Sequence, residues 1–532
     1  MSWNQGGQYG NQQGYGPNNG QWNAGPNQWQ GAGGQYPPPS QPYASQANPP
    51  IVGFSDYKAK TDEYGERFKP KSRVNDIPFL ILFIAQFLGF VAVSGIALHS
   101  WVSNGSLSSG GVGGSRQGGT NVTLNSHTVY LLLLVTAAGL VFSTIYLLLV
   151  RTFTSVILQV TLVLSVAANV AIAVYYWVTK YYSGAIIFTI IAVFGILAYF
   201  GMRSRIPLAS LLLQVVIDVS KHHKSVYIVA FSGLIAQAAL SIWFIFTAIA
   251  TYAKWTPNNA TCGNGTSCSS GTVTGLIFFE LFSYLWTSQV IGNVCLATMA
   301  GGAYGGWYYF GPSNMGQMPK NPSLSAFARA STLSLGSIAF GSLIVTLLEL
   351  LRIILNSIRA NAAESGSPVE AALACCAACF VGCIESLVEY FNRYAYIEID
   401  QALYGKPYIP AAKDTWRLFK DRGIDALIND SLTGIAMTWG AYLVGLLCSL
   451  FAYVYLRLTN PAYNTDGQYT APVLLFAFLI GLQCSLTLAS AIEAGVSTIF
   501  VGLGEDPQVL AERSPGLFEM IRETYPDVVR PV

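Results

Sequence analysis

Charge is what this sequence has little of, with 28 basic and 26 acidic residues among 532. Soluble domains carry roughly 25 % charged residues, so the composition excludes an ordinary cytosolic enzyme. The two signs nearly cancel, which excludes the clustered positive charge of a nucleic-acid binder, and we expect no nucleic-acid partner. Because 52 % of the residues are apolar and the mean hydropathy is +0.43, the sequence predicts an all-α polytopic membrane protein.

Recognisable catalytic motifs are also absent. The chain has no P-loop, nucleophile elbow, metalloprotease helix or kinase signature, so we expect neither an enzyme nor ATP hydrolysis. Seven of the nine cysteines lie in apolar runs, which excludes a secreted disulfide scaffold. Four of them, Cys375, Cys376, Cys379 and Cys383, contain a C-x-x-C, but their alanine-rich and valine-rich surroundings disfavour a zinc site. We expect no metal and no cofactor.

The chain divides by composition into three parts. Residues 1–55 contain no charged residue and are rich in Gly, Gln, Asn and Pro, a composition that cannot bury enough apolar area to fold. We predict a disordered cytosolic tail over 1–70, a ten-helix transmembrane transporter-like domain over 71–505 and a cytosolic C-terminal tail over 506–532. The N-terminal tail is either an interaction segment or a tolerated low-complexity extension. No cleavable signal peptide is expected, since no charged segment followed by an apolar one opens the chain.

Ten apolar runs are long enough to cross a bilayer core, which takes about 20 helical residues. The runs lack the alternating pattern of barrel strands, so we predict helices. The predicted spans are 77–98, 128–150, 155–178, 183–201, 225–253, 272–300, 331–354, 369–391, 431–457 and 471–500.

Charge and sequons predict the orientation. The basic residues between Arg67 and Arg73 precede the first span, which places the N-terminus in the cytosol. The loops 99–127 and 254–271 then lie outside, and both carry glycosylation acceptors. Cys262 and Cys268, the two cysteines in polar sequence, are predicted to form a disulfide there. The four acceptors are Asn104, Asn121, Asn259 and Asn264.

Two segments leave alternatives open. Residues 206–220 are apolar but short, and a polar residue at every fourth position from Ser210 to Asp218 favours a helix at the inner surface. Residues 369–391 contain three glutamates, so this segment is either a span or an interfacial helix bearing the four cysteines. We favour a span, because it returns the basic stretch 393–422 to the cytosol.

Polar residues inside the spans are the candidate site. Intramembrane ionisable groups are costly and are functional by default, although packing or protonation could also account for them. A quaternary ammonium ion is recognised by aromatic faces together with a carboxylate. The sixth span has two polar stripes, one through Glu280 and Tyr284 and the other through Trp286, Gln289 and Asn293, so it is expected inside the bundle. The remaining candidates for substrate binding are Glu349 in the seventh span and Glu493 in the tenth.

Three separated segments resemble the choline transporter-like family. They are SYLWTSQVIGNVCLATMAGGAYGGWYYF at 283–310, LGSIAFGSLIVTLLELLRIIL at 335–355, and IESLVEYFNRYAYIEIDQALYGKPYIPAA at 384–412. The segment SRVNDIPFLILFI at 72–84 and the Gln-rich and Gly-rich tail resemble the fungal branch of this family, known as the Pns1 branch. The resemblance implies a plasma-membrane protein of about ten helices, with both termini cytosolic and a choline-like cation as substrate.

Three functions are compatible with these patterns. The first is a transporter for choline or a related small organic cation. Such a transporter is surrounded by membrane lipids and uses no ATP. The second is a membrane scaffold or sensor, in which the tail and the segment 393–430 recruit partners. The third is a lipid-handling protein that moves no small solute.

Overall fold

In the computed structural model, every regular element of the described residues is helical. The structure describes residues 73–103, 126–256, 269–310, 321–401, 406–459, 461 and 470–524. The predicted tail over 1–70, the four glycosylation acceptors Asn104, Asn121, Asn259 and Asn264, and the Cys262–Cys268 pair lie outside these residues.

Fifteen α-helices are described, and the long ones match the predicted spans. Their bounds are α1 Ile77–Ser103, α2 Ser126–Thr152, α3 Thr154–Val178, α4 Tyr182–Arg203, α5 Ile206–His222, α6 Ser225–Trp255, α7 Ser270–Met299, α8 Gly305–Phe310, α9 Pro322–Thr332, α10 Leu335–Glu364, α11 Pro368–Gln401, α12 Tyr408–Thr459, α13 Thr470–Glu505, α14 Pro507–Arg513 and α15 Pro515–Thr524.

Nine of the described helices are long and apolar enough to cross a membrane. They correspond to nine of the ten predicted spans, and Val369–Ile399 is among them, which favours a span over an interfacial helix there. The tenth predicted span, 272–300, forms the 30-residue helix α7 but does not meet the same apolar threshold. Because α7 packs against α1, α6, α10, α11 and α13, its polar side chains face protein, as its two stripes predict.

Neighbouring helices along the chain pair as antiparallel hairpins, α3 with α4, α6 with α7, α10 with α11, and α12 with α13. We call the end at which α1, α6, α10 and α12 begin the basal end. The hydrogen bonds that connect elements there include one between Asp76 and the Tyr408 backbone (2.8 Å) and one between Ser225 and Ser323 (2.8 Å).

The segment predicted as a surface helix, 206–220, is instead buried in protein. Helix α5 packs against α2, α3, α12 and α13, and most of its apolar side chains are buried. The polar side chains of its stripe find partners at the turn that joins α2 to α3. Gln214 donates a hydrogen bond to Thr154 (3.1 Å), and Asp218 forms an ion pair with Arg151 (2.5 Å). The sequence pattern located the stripe, but protein covers the face that we expected to lie at the surface.

The ends of two predicted segments also differ from a simple span or tail. After α7, residues Ala300–Tyr304 form a π-helical turn, and a Cβ at Gly302 would lie 2.9 Å from the Ser323 backbone, so glycine lets α9 pack closely. Beyond 505, α14 and α15 bury Leu510 and Ile521 in the main apolar core. The described part of 506–532 therefore packs onto the helical domain.

Candidate functional site

A cavity of about 300 Å³ opens between α6, α7, α11 and α13. The last two turns of α7 line it, which places it nearer the basal end. Half of its wall is apolar, from residues such as Leu234 and Met299. Its polar lining consists of Gln237, Asn293, Glu389, Arg393, Gln483, Thr487, Ser490 and Glu493.

Two glycines shape the wall between α6 and α7. A Cβ at Gly233 would lie 2.6 Å from the Cys295 sulfur, and one at Gly292 would lie 3.3 Å from the Gln237 side-chain nitrogen. The absence of side chains lets the two helices approach, as small residues do in membrane bundles. Gln237 then donates to the Ser288 carbonyl oxygen (3.3 Å) and crosses from α6 to α7 beside the cavity.

The charged wall of the cavity comes from α11 and α13. The Arg393 guanidinium lies 3.9 Å from the Glu493 carboxylate, and both side chains are partly exposed. Glu389 also lines the cavity and lies one helical turn before Arg393, on the same face of α11. The wall therefore carries two carboxylates and one guanidinium.

Asp430 of α12 supports this wall from behind. It accepts hydrogen bonds from the Tyr394 hydroxyl (2.9 Å) and from the Ser497 hydroxyl (3.2 Å). Ser497 lies one turn after Glu493, and Tyr394 is adjacent to Arg393, so Asp430 connects both charged elements. Arg393 also interacts electrostatically with Asp430. The acidic groups around Arg393 therefore outnumber it.

A second polar group lies between α10 and α11, farther from the basal end. Arg352 forms a two-pronged contact with Glu385, at 2.8 and 3.1 Å. Glu349 lies beside this pair and within hydrogen-bonding reach of Gln289. Glu385 is one turn before Glu389, so one face of α11 connects the second polar group to the cavity.

Two of the seven predicted binding residues, Asn293 and Glu493, line the cavity. Asn293 also donates to the Ser342 hydroxyl (2.9 Å), which connects α7 to α10. Two further candidates, Gln289 and Glu349, belong to the second polar group. The structure thus places four of the seven candidates in these two groups.

The other three candidates lie in contacts between helices. Glu280 is fully buried and accepts a hydrogen bond from Thr251 of α6 (2.5 Å). The hydroxyl of Tyr284 forms a hydrogen bond with Ser241 (3.0 Å), also on α6. This is the first predicted stripe of α7, and it faces α6.

Trp286 lies on the second stripe, which faces α10. Its ring is fully buried, and its indole nitrogen donates to the Ala339 carbonyl oxygen (3.0 Å). The rings of Phe83 and Phe282 pack against it, with centroids 5.4 and 5.5 Å away. Trp286 therefore does not border the cavity, and no aromatic ring is among the residues that line it.

Sequence reasoning missed Glu389 and Arg393 as site residues. Their signal is the four-residue spacing from Glu385 to Glu389 to Arg393, which puts all three side chains on one helical face. The sequence predicts a span or an interfacial helix over 369–391 and a basic stretch after it, and neither interpretation assigns Glu389 or Arg393 to a site. Gln483, Thr487 and Ser490 follow a similar spacing on α13 before Glu493.

The four cysteines of α11 lie along its outer surface, and Cys376, Cys379 and Cys383 are exposed free thiols. Within the part of the chain that the structure describes, no group of three His, Cys, Asp or Glu side chains is arranged to hold a metal ion.

Comparisons with known proteins identify the family of this chain. A family model described as a plasma-membrane choline transporter matches residues 186–508, which include all four helices around the cavity. Protein PNS1 of Cryptococcus neoformans is 60 % identical over 93 % of this chain and 90 % of its own length. Protein PNS1 of Mycosarcoma maydis is 45 % identical over 94 % and 93 %, and that of Candida albicans is 38 % identical over 90 % and 92 %. The chain is therefore a multi-pass membrane protein that belongs to the choline transporter-like family and, within it, to the fungal Pns1 branch.

Proposed function

We propose that this protein moves choline or a related small organic cation across the plasma membrane through the cavity between α6, α7, α11 and α13. The observation that carries the proposal is the excess of carboxylates on its wall, where Glu389 and Glu493 face a single Arg393. Charged groups at membrane depth are costly and mark substrate or ion pathways. An acidic excess favours a positively charged solute.

The size and chemistry of the cavity suit a small solute. Its volume of about 300 Å³ lies at the lower end of the range for small-molecule sites. Amide oxygens of Gln237, Asn293 and Gln483 can supply dipoles to a cation, and the two carboxylates can balance its charge. The residues that line the cavity include no aromatic ring and so do not form the aromatic cage that the sequence predicts. We therefore assign recognition of the cation to carboxylates and amides.

The second polar group extends this route toward the opposite end of the bundle. Glu385 and Glu349 continue the acidic series beyond Glu389 along α11 and α10. We propose that a cation passes these carboxylates in turn. In the proposed orientation both termini are cytosolic, and the glycosylation acceptors at Asn104, Asn121, Asn259 and Asn264 face outward. The membrane potential then draws a cation inward with ~2.3 kcal/mol per 100 mV.

Uptake into proteoliposomes tests the proposal. The purified full-length protein is reconstituted, a negative-inside potential is set, and labelled choline and ethanolamine are offered separately. Glu389→Gln and Glu493→Gln should each reduce uptake by roughly tenfold or more, because each removes a charged partner of the cation. Glu512→Gln is the matched control, since Glu512 is an exposed acid of α14 outside the cavity.

Protein content and thermal stability are measured for every variant, so that lost uptake is not confused with lost protein. Wild-type vesicles that accumulate neither solute above protein-free vesicles would contradict transport of these cations. Normal uptake by both cavity variants would instead show that the cation takes another route.

A further inference from the structure

A second concave surface lies where α12 begins, at the basal end. It is an open groove of about 500 Å³ between α10, α11 and the first turns of α12. We call it the α12 groove. It is separate from the cavity described above and shares no lining residue with it. Its lining consists of Phe340, Phe391, Tyr408, Ile409, Ala412, Lys413, Trp416 and Arg417.

Aromatic rings form a packed floor for the α12 groove. Phe340 stacks on Phe79 of α1 with centroids 3.9 Å apart, and Tyr408 contacts the edge of Phe340 at 4.9 Å. The Tyr408 hydroxyl points away from solvent and donates to Asn392 (2.5 Å). The two rings of the floor, from α10 and α12, are therefore held in place by contacts with α1 and α11.

The two walls of the α12 groove differ in hydropathy. Phe340 and Phe391 belong to the candidate spans Leu335–Glu364 and Val369–Ile399. The opposite wall is the first part of α12, where seven charged residues lie between Lys413 and Asp425, before the predicted span 431–457. One wall thus belongs to two candidate spans and the other to a charged part of its helix, an arrangement expected at the boundary between membrane and water.

The α12 wall has basic residues beside exposed apolar ones. Ile409 and Trp416 are 57 % and 66 % exposed, although both are large and apolar. Lys413 lies one turn after Ile409, and Arg417 one turn after Lys413, so they share a helical face. Lys413 makes no ion pair with any residue that the structure describes.

One carboxylate lies near these cations and is largely neutralised. Asp414 contacts Arg417 at 3.4 Å, and its other oxygen pairs with Lys406 at 2.8 Å. Lys420, one turn after Trp416, adds a further exposed positive charge on the same side of α12. The groove therefore combines an apolar, ring-lined floor with a positively charged rim.

We propose that the α12 groove binds one anionic phospholipid. Its acyl chain lies on Phe340, Phe391 and Trp416, and its phosphate lies between Lys413 and Arg417. Tryptophan and basic residues at a membrane boundary are the groups that anchor proteins to lipid interfaces. A zwitterionic lipid offers the same acyl chains but no net negative charge, so the rim selects against it.

Native mass spectrometry of the full-length protein in detergent tests this site. Phosphatidylserine and phosphatidylcholine with identical acyl chains are titrated separately, and inorganic phosphate serves as the headgroup-only arm. The wild type should retain phosphatidylserine at lower concentrations than phosphatidylcholine. Lys413→Gln/Arg417→Gln should weaken phosphatidylserine retention about 25-fold, since each basic residue near an anionic surface contributes a factor of about five.

Arg203→Gln/Lys224→Gln is the matched control, because it removes two charges from exposed residues near the same end of the bundle. That variant should retain phosphatidylserine like the wild type. Trp416→Ala should weaken both lipids equally, since it removes an acyl-chain contact.

Three results would overturn the proposal. Equal retention of both lipids would show that the α12 groove does not select by charge. Displacement of lipid by inorganic phosphate would show that it is a site for free anions. Lipid binding that appears only after residues 1–70 are deleted would identify the tail as the occupant. None of these outcomes depends on cation transport, so the two proposals fail separately.

Discussion

The Arg393 guanidinium stands 3.9 Å from the Glu493 carboxylate across the cavity wall. This separation exceeds the 2.7–2.9 Å typical of charge-assisted hydrogen bonds. The two groups therefore attract each other without a direct hydrogen bond, and each remains partly exposed to the cavity. A cation that enters beside Glu493 competes with Arg393 for the same carboxylate.

Removal of the guanidinium should make the proposed site hold its substrate more tightly. Arg393→Gln leaves Glu389 and Glu493 without a positive neighbour, so we expect the KM for choline to fall about fivefold. The estimate follows from an attraction of about 1 kcal/mol between unit charges 4 Å apart in water-like surroundings. The kcat should fall as well, because choline that is bound more tightly leaves the cavity more slowly. Concentration series of uptake in proteoliposomes measure both constants.

Arg393→Lys keeps the positive charge and is the control for that series. Its KM should stay within about twofold of the wild type if charge is what matters. A higher KM in Arg393→Gln would contradict the competition between substrate and guanidinium. It would indicate that Arg393 positions the substrate directly.

Filling the cavity should reduce transport without unfolding the protein. Gly292→Val adds a side chain that meets the Gln237 amide, which lies only 3.3 Å from the position of the new Cβ. We expect uptake to fall by about tenfold or more, at an overpacking cost of about 1–3 kcal/mol. Gly275→Val on the same helix is the control, because a Cβ at Gly275 meets nothing within 4 Å. Equal uptake by both variants would exclude the cavity as the route.

Trp286 should matter for stability and not for substrate affinity. Trp286→Phe removes the hydrogen bond to Ala339 and leaves space beside Phe83, which should cost about 2 kcal/mol. The variant should unfold at a lower temperature in detergent, while the KM for choline stays within about twofold of the wild type. A KM raised tenfold at unchanged stability would instead support Trp286 as part of a cation-binding site.

Hydropathy predicted the spans well because it measures what faces lipid. It underestimated helices that continue beyond the bilayer, since α12 begins at Tyr408 and the predicted span begins at 431. The extra turns pack against α13 and bury residues such as Leu418, so they are stabilised by protein contacts that no window average detects.

The candidate site was predicted less completely. Asn293 and Glu493 were found because each is a polar residue within an apolar run. Trp286 is predicted to bind ligand because it is aromatic and shares a stripe with Gln289 and Asn293, but the neighbouring helices decide what each face of α7 contacts. Arg393 was missed because a span that ends in charged residues resembles an ordinary membrane boundary.

Asp76 connects the segment before α1 to the start of α12. Its carboxylate accepts hydrogen bonds from the Tyr408 backbone nitrogen (2.8 Å) and from the Ser337 hydroxyl (2.5 Å). Asp76 also has a φ of 51°, a left-handed conformation that Asp and Asn tolerate better than Ala. Asp76→Ala should therefore destabilise the protein by about 1–2 kcal/mol, as the loss of a helix cap does.

Asp76→Asn is the matched control, because Asn accepts the same hydrogen bonds and tolerates the same conformation. Its thermal unfolding in detergent should stay close to that of the wild type. If Asp76→Ala unfolds at the same temperature as Asp76→Asn, the contact does not stabilise the start of α12.

Lys406 holds together a group of acids where α11, α12 and α13 meet at the basal end. Burial by itself would lower the pKa of Lys406, but Glu505 and Glu398 together raise it above its ordinary value, so the side chain is charged at neutral pH. Glu398 is only 1 % exposed, so loss of its positive neighbour would leave a buried carboxylate unpaired and destabilise the folded protein. The partners of Lys406 are Asp414 at 2.8 Å, Glu398 at 3.7 Å and Glu505 at 3.7 Å.

Lys406→Gln should destabilise the protein by about 3 kcal/mol, the lower end of the range for breaking a buried ion pair, because Lys406 is 25 % exposed. In the double variant Lys406→Gln/Glu398→Gln, the second substitution removes the unpaired Glu398 carboxylate. It should restore much of the lost free energy of unfolding. Such recovery is the coupling that a double-mutant cycle detects between neighbouring groups. Chemical unfolding of all four proteins measures it, and strictly additive losses would mean that Lys406 and Glu398 do not stabilise each other.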